Sequence, residues 1–374
     1  MLPYWLMFTL WTAGALQIER RRVDDVRKLF FVIATIVTGL MIGLRFEVGG
    51  DWGNYQRIYQ NIAFMSLHQA IGSGDIGYTV INWLAAQGTL GIVFVNSVCA
   101  LLFMGGFARL AWRQPNPALA VLVAVPYLII VVAMGYTRQA AAIGVICLAI
   151  ADGSERRLLR LTILIVIAAL FHKTAILVLP IALVPVFRRS AIFGVFGVLM
   201  FVVLFVLLLR DTAGQMMTSY VQGDYDSQGA AVRIFMNVVA ASIFLFLRKN
   251  IVMPNFQKSF WTACSILSLL SVFAFLTFSA SSGIDRLSLY LIPLQAITYS
   301  RLPYILSHDR RAVPSIIIGV IGYSFFVQFV WLNYADNVEY WLPYSMSLYQ
   351  AAQGCPLGSR ACHRRTYHYL RLHM

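Results

Sequence analysis

The chain has 374 residues, of which 60% are hydrophobic and 12% are charged, and its mean hydropathy is +0.74. Because a soluble domain carries about 25% charged residues, this composition excludes a soluble protein and indicates a polytopic membrane protein. The formal net charge is +14, but the basic residues are scattered among the ends of apolar runs, which argues against nucleic-acid binding.

Apolar runs follow one another through residues 1–345 and predict a single transmembrane domain. They are too long for barrel strands and lack two-residue alternation, so the need for internal backbone hydrogen bonds in lipid favours helices. The sequence therefore predicts an all-α fold with about 12 transmembrane helices. The short runs 139–151 and 174–187 are compatible with broken or re-entrant helices. The predicted spans are 3–18, 29–44, 91–108, 118–134, 139–151, 158–171, 174–187, 191–209, 234–247, 259–278, 287–300 and 313–332.

Lys and Arg are distributed unequally between two alternating sets of loops. One set holds 18 of the 29 basic residues, the other holds seven, and the last four lie in the C-terminal tail. The positive-inside rule assigns the first set to the cytoplasm and places both termini outside. The longest predicted extracytoplasmic segments are then 45–90, 210–233 and 333–374. The basic tail, 346–374, is predicted to be disordered from about residue 354.

The first of these segments begins with Arg45, which is predicted to emerge at the lipid boundary, and continues with a pair of glycines and Asp51. A tight turn at the glycines would present backbone N–H groups and a carboxylate within a small space. The alternative is that Arg45 extends its charge to lipid headgroups while Asp51 caps the following helix. Apolar side chains at helical spacing then predict an amphipathic helix on the membrane surface. These side chains are Tyr55, Ile58, Tyr59 and Ile62.

Two short outer connections also carry polar side chains. Arg138 and Gln139 precede small residues that permit close helix packing, so Arg138 is predicted either to face a cavity or to pair with lipid phosphate. His172 and Lys173 lie in the second connection. A single His at a span end is usually a packed, hydrogen-bonded residue, and its position beside Lys173 on the same face as Arg138 makes a functional role the alternative.

Two later outer segments extend this pattern. Residues 220–226 combine aromatic, amide and carboxylate groups suited to sugars, and the alternative is a solvated loop. The predicted sugar ligands there are Tyr220, Asp224 and Tyr225. Asp285 and Arg286 begin another apolar run, where the alternative is a local ion pair.

Six cations are thus predicted on the face that should be poor in them. Guanidinium groups pair with phosphate through two parallel N–H bonds, so a diphosphate is the expected ligand. The cations are Arg45, Arg138, Lys173, Arg210, Arg233 and Arg286, and the accompanying substrate contacts are Tyr55, Tyr136, Gln139, Asp285 and Tyr290. Metal-ligand spacings and nucleotide-binding motifs are absent from the sequence, so neither a metal nor a cofactor is expected.

Four motifs in this order resemble the EpsG family, which is allied to the Wzy polymerases of bacterial surface polysaccharides. They are Arg-Phe-x-Val-Gly-x-Asp-x-x-x-Tyr at 45–55, Tyr-x-Arg-Gln at 136–139, His-Lys-Thr-Ala at 172–175 and Asp-Arg-x-x-x-Tyr-x-x-Pro at 285–293. The similarity covers most of residues 1–345. Lys173 departs from it, because Ser is commoner there, and the tail from about 354 matches nothing in the family.

The resemblance implies a membrane glycosyltransferase of GT-C-like architecture in the bacterial cytoplasmic membrane, with its active face outside. Its substrates would be oligosaccharide repeat units on undecaprenyl diphosphate, and its partners would be membrane lipids, a chain-length regulator and a flippase. Arginines, with Arg45 and Arg138 foremost, would neutralise the leaving diphosphate. We expect inversion in one displacement, with His172 as the first candidate for the base and Asp51 as the second.

Two rival functions stay open. One is a glycosyltransferase that uses a single lipid-phosphate sugar, with Asp51 as base. The other is a flippase for lipid-linked oligosaccharides, which is not an enzyme and should carry charges along a central path through the spans. Here the charges fall at span ends, which favours catalysis.

Overall fold

A computed structural model describes residues 1–17, 24–88, 91–187, 229–277, 286–307 and 312–347, with short helical pieces between 192 and 206. Within these ranges every regular element is a helix. The α-helices are α1 (Leu2–Ala15), α2 (Asp24–Gly43), α3 (Trp52–Ala63), α4 (Leu67–Gly72), α5 (Ile76–Gln87), α6 (Gly91–Trp112), α7 (Pro117–Ala124), α8 (Thr137–Ala151), α9 (Leu158–Phe171), α10 (Val178–Phe187), α11 (Ala230–Leu247), α12 (Asn255–Thr277), α13 (Pro293–Leu306) and α14 (Val313–Tyr334).

Shorter helical segments join or extend several of these helices. Helix α7 continues into a π-helix, Val125–Ala133, and 3₁₀ turns occur at Glu155–Arg157, Lys173–Leu177, Leu289–Leu291 and Val338–Tyr340. A π-helix of this length is rare and is often found near functional sites. It ends five residues before Arg138, a polar side chain of the site described below.

The all-helical, multi-pass prediction is confirmed in its broad form. Eleven of the twelve predicted spans coincide with helices, and the twelfth, 191–209, lies largely outside the described residues. In the part of the chain that the structure describes, five helices are long and apolar enough to cross a membrane, namely Asp25–Gly43, Gly91–Trp112, Ala230–Leu247, Asn255–Thr277 and Val313–Tyr334. Four shorter apolar helices accompany them. The total of twelve spans and the GT-C-like architecture stay predictions.

The centre of the bundle is formed by α7 with its π-helical extension and by α8. Nearly every residue of these elements is buried, as expected for helices that are apolar on all sides. Helices α6 and α8 approach closely where Gly106 faces Gly144, since a Cβ on Gly106 would overlap the Gly144 carbonyl oxygen. Small residues at this crossing therefore set the distance between the two helices.

The two ends of α8 differ in charge. At its C-terminal end, three arginines from the predicted cytoplasmic set converge on Asp152, with N–O distances of 2.9, 3.1 and 3.3 Å. These arginines are Arg109, Arg113 and Arg160. Arg138 lies in the first turn of α8, about 20 Å away at 1.5 Å per residue. The predicted inner and outer polar groups thus occupy opposite ends of one helix.

Helices α3, α4 and α5 lie within the segment 45–90. The predicted helix around Tyr55 is confirmed as α3. The prediction that its apolar face lies on the membrane surface is wrong, because that face packs against the protein. Tyr55 and Ile62 are 3% and 2% exposed, and Ile58 and Tyr59 pack against the same core. The apolar face of α3 packs against the helix bundle, and this contact removes its side chains from water, as insertion into lipid would.

The segment after α14 crosses back over the end of the bundle that is predicted to face outward. Its backbone pairs with the start of the segment 45–90: Gly49 N–H donates to Tyr340 O at 2.8 Å, and Phe46 N–H donates to Ser345 O at 3.0 Å. An isolated antiparallel bridge joins Arg45 to Met346. We call residues 338–347 the C-terminal strap. It secures the loop that carries Asp51.

Candidate active site

Arg45 forms the floor of the polar region. The prediction that it emerges at the lipid boundary is wrong, because its side chain is 0% exposed. Its guanidinium donates to the carbonyls of Ile42 and Val48 and to Thr137 Oγ1, the last at 2.6 Å. Among the described residues, no carboxylate lies within ion-pairing distance of it. The side chain therefore ties the end of α2 to the start of α8.

Asp51 precedes α3 at its N-cap position, above this floor. Its side chain makes no capping hydrogen bond to α3, so the alternative reading of Asp51 as a helix cap is wrong. Burial raises the pKa of its carboxyl group, and the positive charges of Arg286 and Arg138 oppose that rise. Asp51 is thus a partly shielded carboxylate that faces two of the predicted cations.

Asp75, between α4 and α5, forms the centre of the site. Its Oδ2 lies 2.8 Å from Arg138 Nη1, and its Oδ1 accepts the backbone N–H of Lys173 at 3.1 Å. His172 Nδ1 lies 3.7 Å from Oδ2. Burial alone would raise the pKa of Asp75, but His172, Arg138 and the Lys173 N–H together hold it below its usual value. The carboxylate is therefore ionised at neutral pH.

Arg138 is held on several sides. Besides its ion pair with Asp75, its guanidinium carbon lies 5.9 Å from the ring centre of Tyr55 and 5.8 Å from that of Tyr78. Such contacts stabilise a cation through the electron-rich ring faces. Its side chain is still 34% exposed, and Nε has no hydrogen-bond partner among the described residues. The exposed part of the guanidinium is therefore available to an anionic ligand, whereas Nε itself is buried.

His172 occupies the break between α9 and the 3₁₀ turn Lys173–Leu177. Its side chain is 13% exposed, and neither ring nitrogen has a hydrogen-bond partner within the described ranges. Burial lowers the pKa of the imidazole, Asp75 opposes this, and the charges of Arg138 and Arg286 lower it further. The neutral form, which can accept a proton, is therefore favoured near neutral pH.

The segment 286–293 closes the site from the other side of the bundle. Gln139 Nε2 donates to the Arg286 carbonyl at 2.6 Å, which fixes the backbone that carries this exposed arginine. Tyr290 is buried, and its hydroxyl lies 3.0 Å from Thr174 Oγ1, two residues from His172. The motifs at 136–139 and 172–175 are thus each joined to the motif at 285–293 by a direct hydrogen bond.

The other predicted ligands lie apart from this cluster or outside the described residues. Arg233, in α11, donates to the hydroxyl of Tyr127 in the π-helix at 2.8 Å, and Tyr136 is partly buried directly before α8. The structure brings together Asp51, Tyr55, Arg138, Gln139, His172, Lys173, Arg286 and Tyr290. The predictions for Arg210, Tyr220, Asp224, Tyr225 and Asp285 lie outside the described residues.

Sequence reasoning missed Asp75. The chain has 15 acidic residues, and only three of them, Glu47, Asp51 and Asp75, lie between 45 and 90. A carboxylate is scarce in this chain and is therefore itself a signal, and Gly77 beside it marks a close backbone approach. In particular, a Cβ on Gly77 would lie 3.1 Å from the Leu170 carbonyl oxygen.

Other polar regions are separate from this cluster. In the described part of the chain, no three His, Cys, Asp or Glu side chains are grouped so that they could hold a metal ion. A cavity of about 610 Å³ opens at the opposite end of the bundle, where Arg27, Trp112 and Asn116 line it. The site around Asp75 is instead a largely buried group of charges at the other end of the bundle.

Comparison with known proteins places the chain in one family. No curated protein and no solved structure matches it. The model of the EpsG family matches residues 28–346. That range includes all four sequence motifs and every described residue of the site, and it stops within the C-terminal strap. The chain belongs to the EpsG family.

Proposed function

We propose that this chain is a polysaccharide polymerase that joins lipid-linked oligosaccharide repeat units at the outer face of the bacterial cytoplasmic membrane. The proposal combines membership of the EpsG family with the cluster of cations, His172 and two carboxylates at one end of the bundle. Undecaprenyl diphosphate would carry both the growing chain and the incoming unit.

The reaction proposed is a single displacement. A hydroxyl oxygen of the incoming unit attacks the anomeric carbon of the growing chain, and the bond from that carbon to the diphosphate oxygen breaks. The diphosphate leaves with the electron pair, and the hydroxyl proton passes to a base. Attack from the face opposite the leaving group inverts the anomeric carbon. Chemically, the site must neutralise a diphosphate and accept one proton.

The observation that carries the proposal is the position of His172. Its two nitrogens lack partners among the described residues, and its pKa is lowered by burial, so it can accept a proton at neutral pH. A positioned general base contributes about 10²- to 10⁴-fold to such a step. Asp51 is the competing base. Burial raises the pKa of its carboxyl group, and its side chain makes no capping hydrogen bond to α3.

The diphosphate would be bound by Arg138 and Arg286, with Lys173 beside them. Arg138 is partly exposed, and Arg286 is exposed on backbone fixed by Gln139. For Arg45 we propose a positioning role, because its donors are engaged inside the protein. Arg210 and Arg233 stay candidate phosphate ligands, and Tyr220, Asp224 and Tyr225 stay candidate sugar ligands.

The test is polymerisation by purified protein in liposomes supplied with a lipid-linked repeat unit. His172→Gln should leave single repeats, and His68→Gln, which changes an exposed histidine on α4, should retain long chains. If His172→Gln retained activity and Asp51→Asn lost it, the role of general base would be assigned to Asp51. Wild-type protein that translocates the repeat unit across the bilayer without extending it would identify a flippase. Extension by one sugar from a lipid-phosphate donor would instead identify the other rival enzyme.

A further inference from the structure

Asp75 contacts two segments that are distant in sequence, one at Arg138 and one at His172 and Lys173. Arg138 is 63 residues away, and the backbone N–H of Lys173 is 98 residues away. His172 Nδ1 approaches Oδ2 at 3.7 Å, the same oxygen that Arg138 binds at 2.8 Å. The Asp75 side chain is 8% exposed, so these contacts are made largely out of solvent.

The local position of Asp75 predicts a different role. It occupies the N-cap of α5, where an Asp side chain normally accepts a backbone N–H of the first helical turn. Asp75 makes no such bond to α5. The carboxylate is directed instead toward Arg138 and the turn at His172. This orientation requires a reason beyond the stability of α5.

The charges that face His172 come from several packed elements. Asp75 lies before α5, Arg138 belongs to α8, and Arg286 precedes the 3₁₀ turn at Leu289, while Lys173 follows in the chain. Burial and the two arginines disfavour the imidazolium form, and Asp75 is the group that opposes them. Asp51 lies near the same two arginines. The protonation of His172 is therefore set by a balance in which Asp75 is the principal anion.

We infer that Asp75 is a positioning residue for His172, which orients the ring so that Nε2 faces the substrate and stabilises the imidazolium as it forms. The inference rests on the proposed function. With Nδ1–H directed at the carboxylate, Nε2 carries the free lone pair and takes the proton of the attacking hydroxyl. A carboxylate that holds the catalytic tautomer without itself being protonated is an established device in acyl transfer. Arg138, bound to the same carboxylate, couples this base to the diphosphate site.

A purely structural role for Asp75 would have a different consequence. If Asp75 only joined α5 to α8, its replacement would change stability and leave the titration of His172 unaltered. The test is therefore the pKa of His172, measured by NMR on the full-length protein carrying ¹³C-labelled histidine. The signal is assigned by its loss in His172→Gln. This readout needs no substrate, so it stays informative even if polymerisation is never observed.

In Asp75→Asn the pKa of His172 should fall below its wild-type value, because both arginines remain and the anion is lost. Asp75→Glu should restore part of the difference. Arg138→Gln should shift the pKa in the opposite direction, which keeps the test decisive if Asp75→Asn does not fold. Asp152→Asn, which removes an arginine-bound carboxylate at the other end of α8, is the matched control and should cause no shift.

Activity provides the second readout. Asp75→Asn should lower kcat more than it changes KM and should move the acidic limb of the pH–rate profile to lower pH. An unchanged or raised pKa of His172 in Asp75→Asn, or no upward shift in Arg138→Gln, would overturn the inference. If wild-type protein shows no polymerisation while the pKa shifts follow these signs, the proposed function fails and the Asp75–His172 pairing stands.

Discussion

The indole Nε1 of Trp341 donates a 2.8 Å hydrogen bond to the carbonyl of Ile130, which lies 211 positions earlier within the π-helix. The same ring covers Gly135, where an added Cβ would lie 2.6 Å from it. The neighbouring Tyr340 carbonyl binds the Gly49 N–H. The C-terminal strap thus fixes both the turn before Arg138 and the loop that carries Asp51.

Trp341→Phe should therefore destabilise the protein. The change keeps an aromatic ring but leaves the Ile130 carbonyl without its donor, which costs about 1–3 kcal/mol in a buried site. Thermal unfolding in detergent measures the loss. Tyr334→Phe, at an exposed aromatic nearby, is the control and should be neutral. Equal melting temperatures for the two variants would show that the strap does not depend on this bond.

Two adjacent glycines in α6 should respond differently to alanine. Gly106→Ala forces a Cβ into the Gly144 carbonyl, so α6 and α8 must separate, at a cost of about 1–3 kcal/mol as for overpacked cores. Gly105→Ala places its Cβ where no described atom lies within 4 Å and should be tolerated. Yield and melting temperature of the folded protein distinguish the variants. Similar behaviour of both would contradict the close crossing.

Replacing Arg45 and replacing Arg138 should have different effects on folding and activity. Arg45→Gln removes a fully buried guanidinium that joins α2 to α8, so folded protein should decrease, and Arg45→Lys should rescue it poorly because an ammonium lacks the planar fork. Arg138→Gln should retain folded protein and lose long-chain product. Size-exclusion profiles and glycan length measure these effects. A fully folded but inactive Arg45→Gln would return Arg45 to the list of diphosphate ligands.

Acid should weaken the fold through His172. Its pKa is lowered in the folded protein by burial, so below about pH 6.5 the unfolded chain takes up a proton that the folded chain does not. Stability then falls as pH decreases from 6.5. Asp75 adds to this at lower pH, because its lowered pKa makes its contribution disappear as pH falls through the folded value.

The melting temperature should therefore drop between pH 7.5 and 5.5 in wild-type protein and drop less in His172→Gln. His68→Gln, at an exposed position, should behave as wild type. A larger drop in His172→Gln than in wild type would contradict the direction of the His172 shift.

Membrane orientation can be tested independently of activity. Reporters fused after Arg157 should report the cytoplasm, because Arg157 lies near the arginine-bound Asp152, and reporters inserted at Gly53 should report the outside. The physical reason is the retention of Lys and Arg on the cytoplasmic side. Cytoplasmic signal from Gly53 would remove the basis for an outward-facing site.

The sequence by itself determined the class of fold, the positions of the apolar helices and which charged side chains gather at each end of the bundle, but it did not predict α4 or α5. Backbone groups in lipid must bond within their own segment, so long apolar runs become helices wherever they pack. The arginines assigned to one side do meet, around Asp152, and Arg138 and His172 do lie together at the other end. These properties follow from local composition, which is why they could be predicted.

Only the tertiary structure decided how the site is organised. Arg45 was expected at the surface and lies in the interior, and Asp75 was not singled out although it connects Arg138 to the turn at His172. Both outcomes depend on distances between segments that are tens of residues apart, as does the strap that brings Trp341 to Ile130. A charged side chain near a span end has the same local sequence whether it faces lipid, water or another helix, and packing alone selects among them.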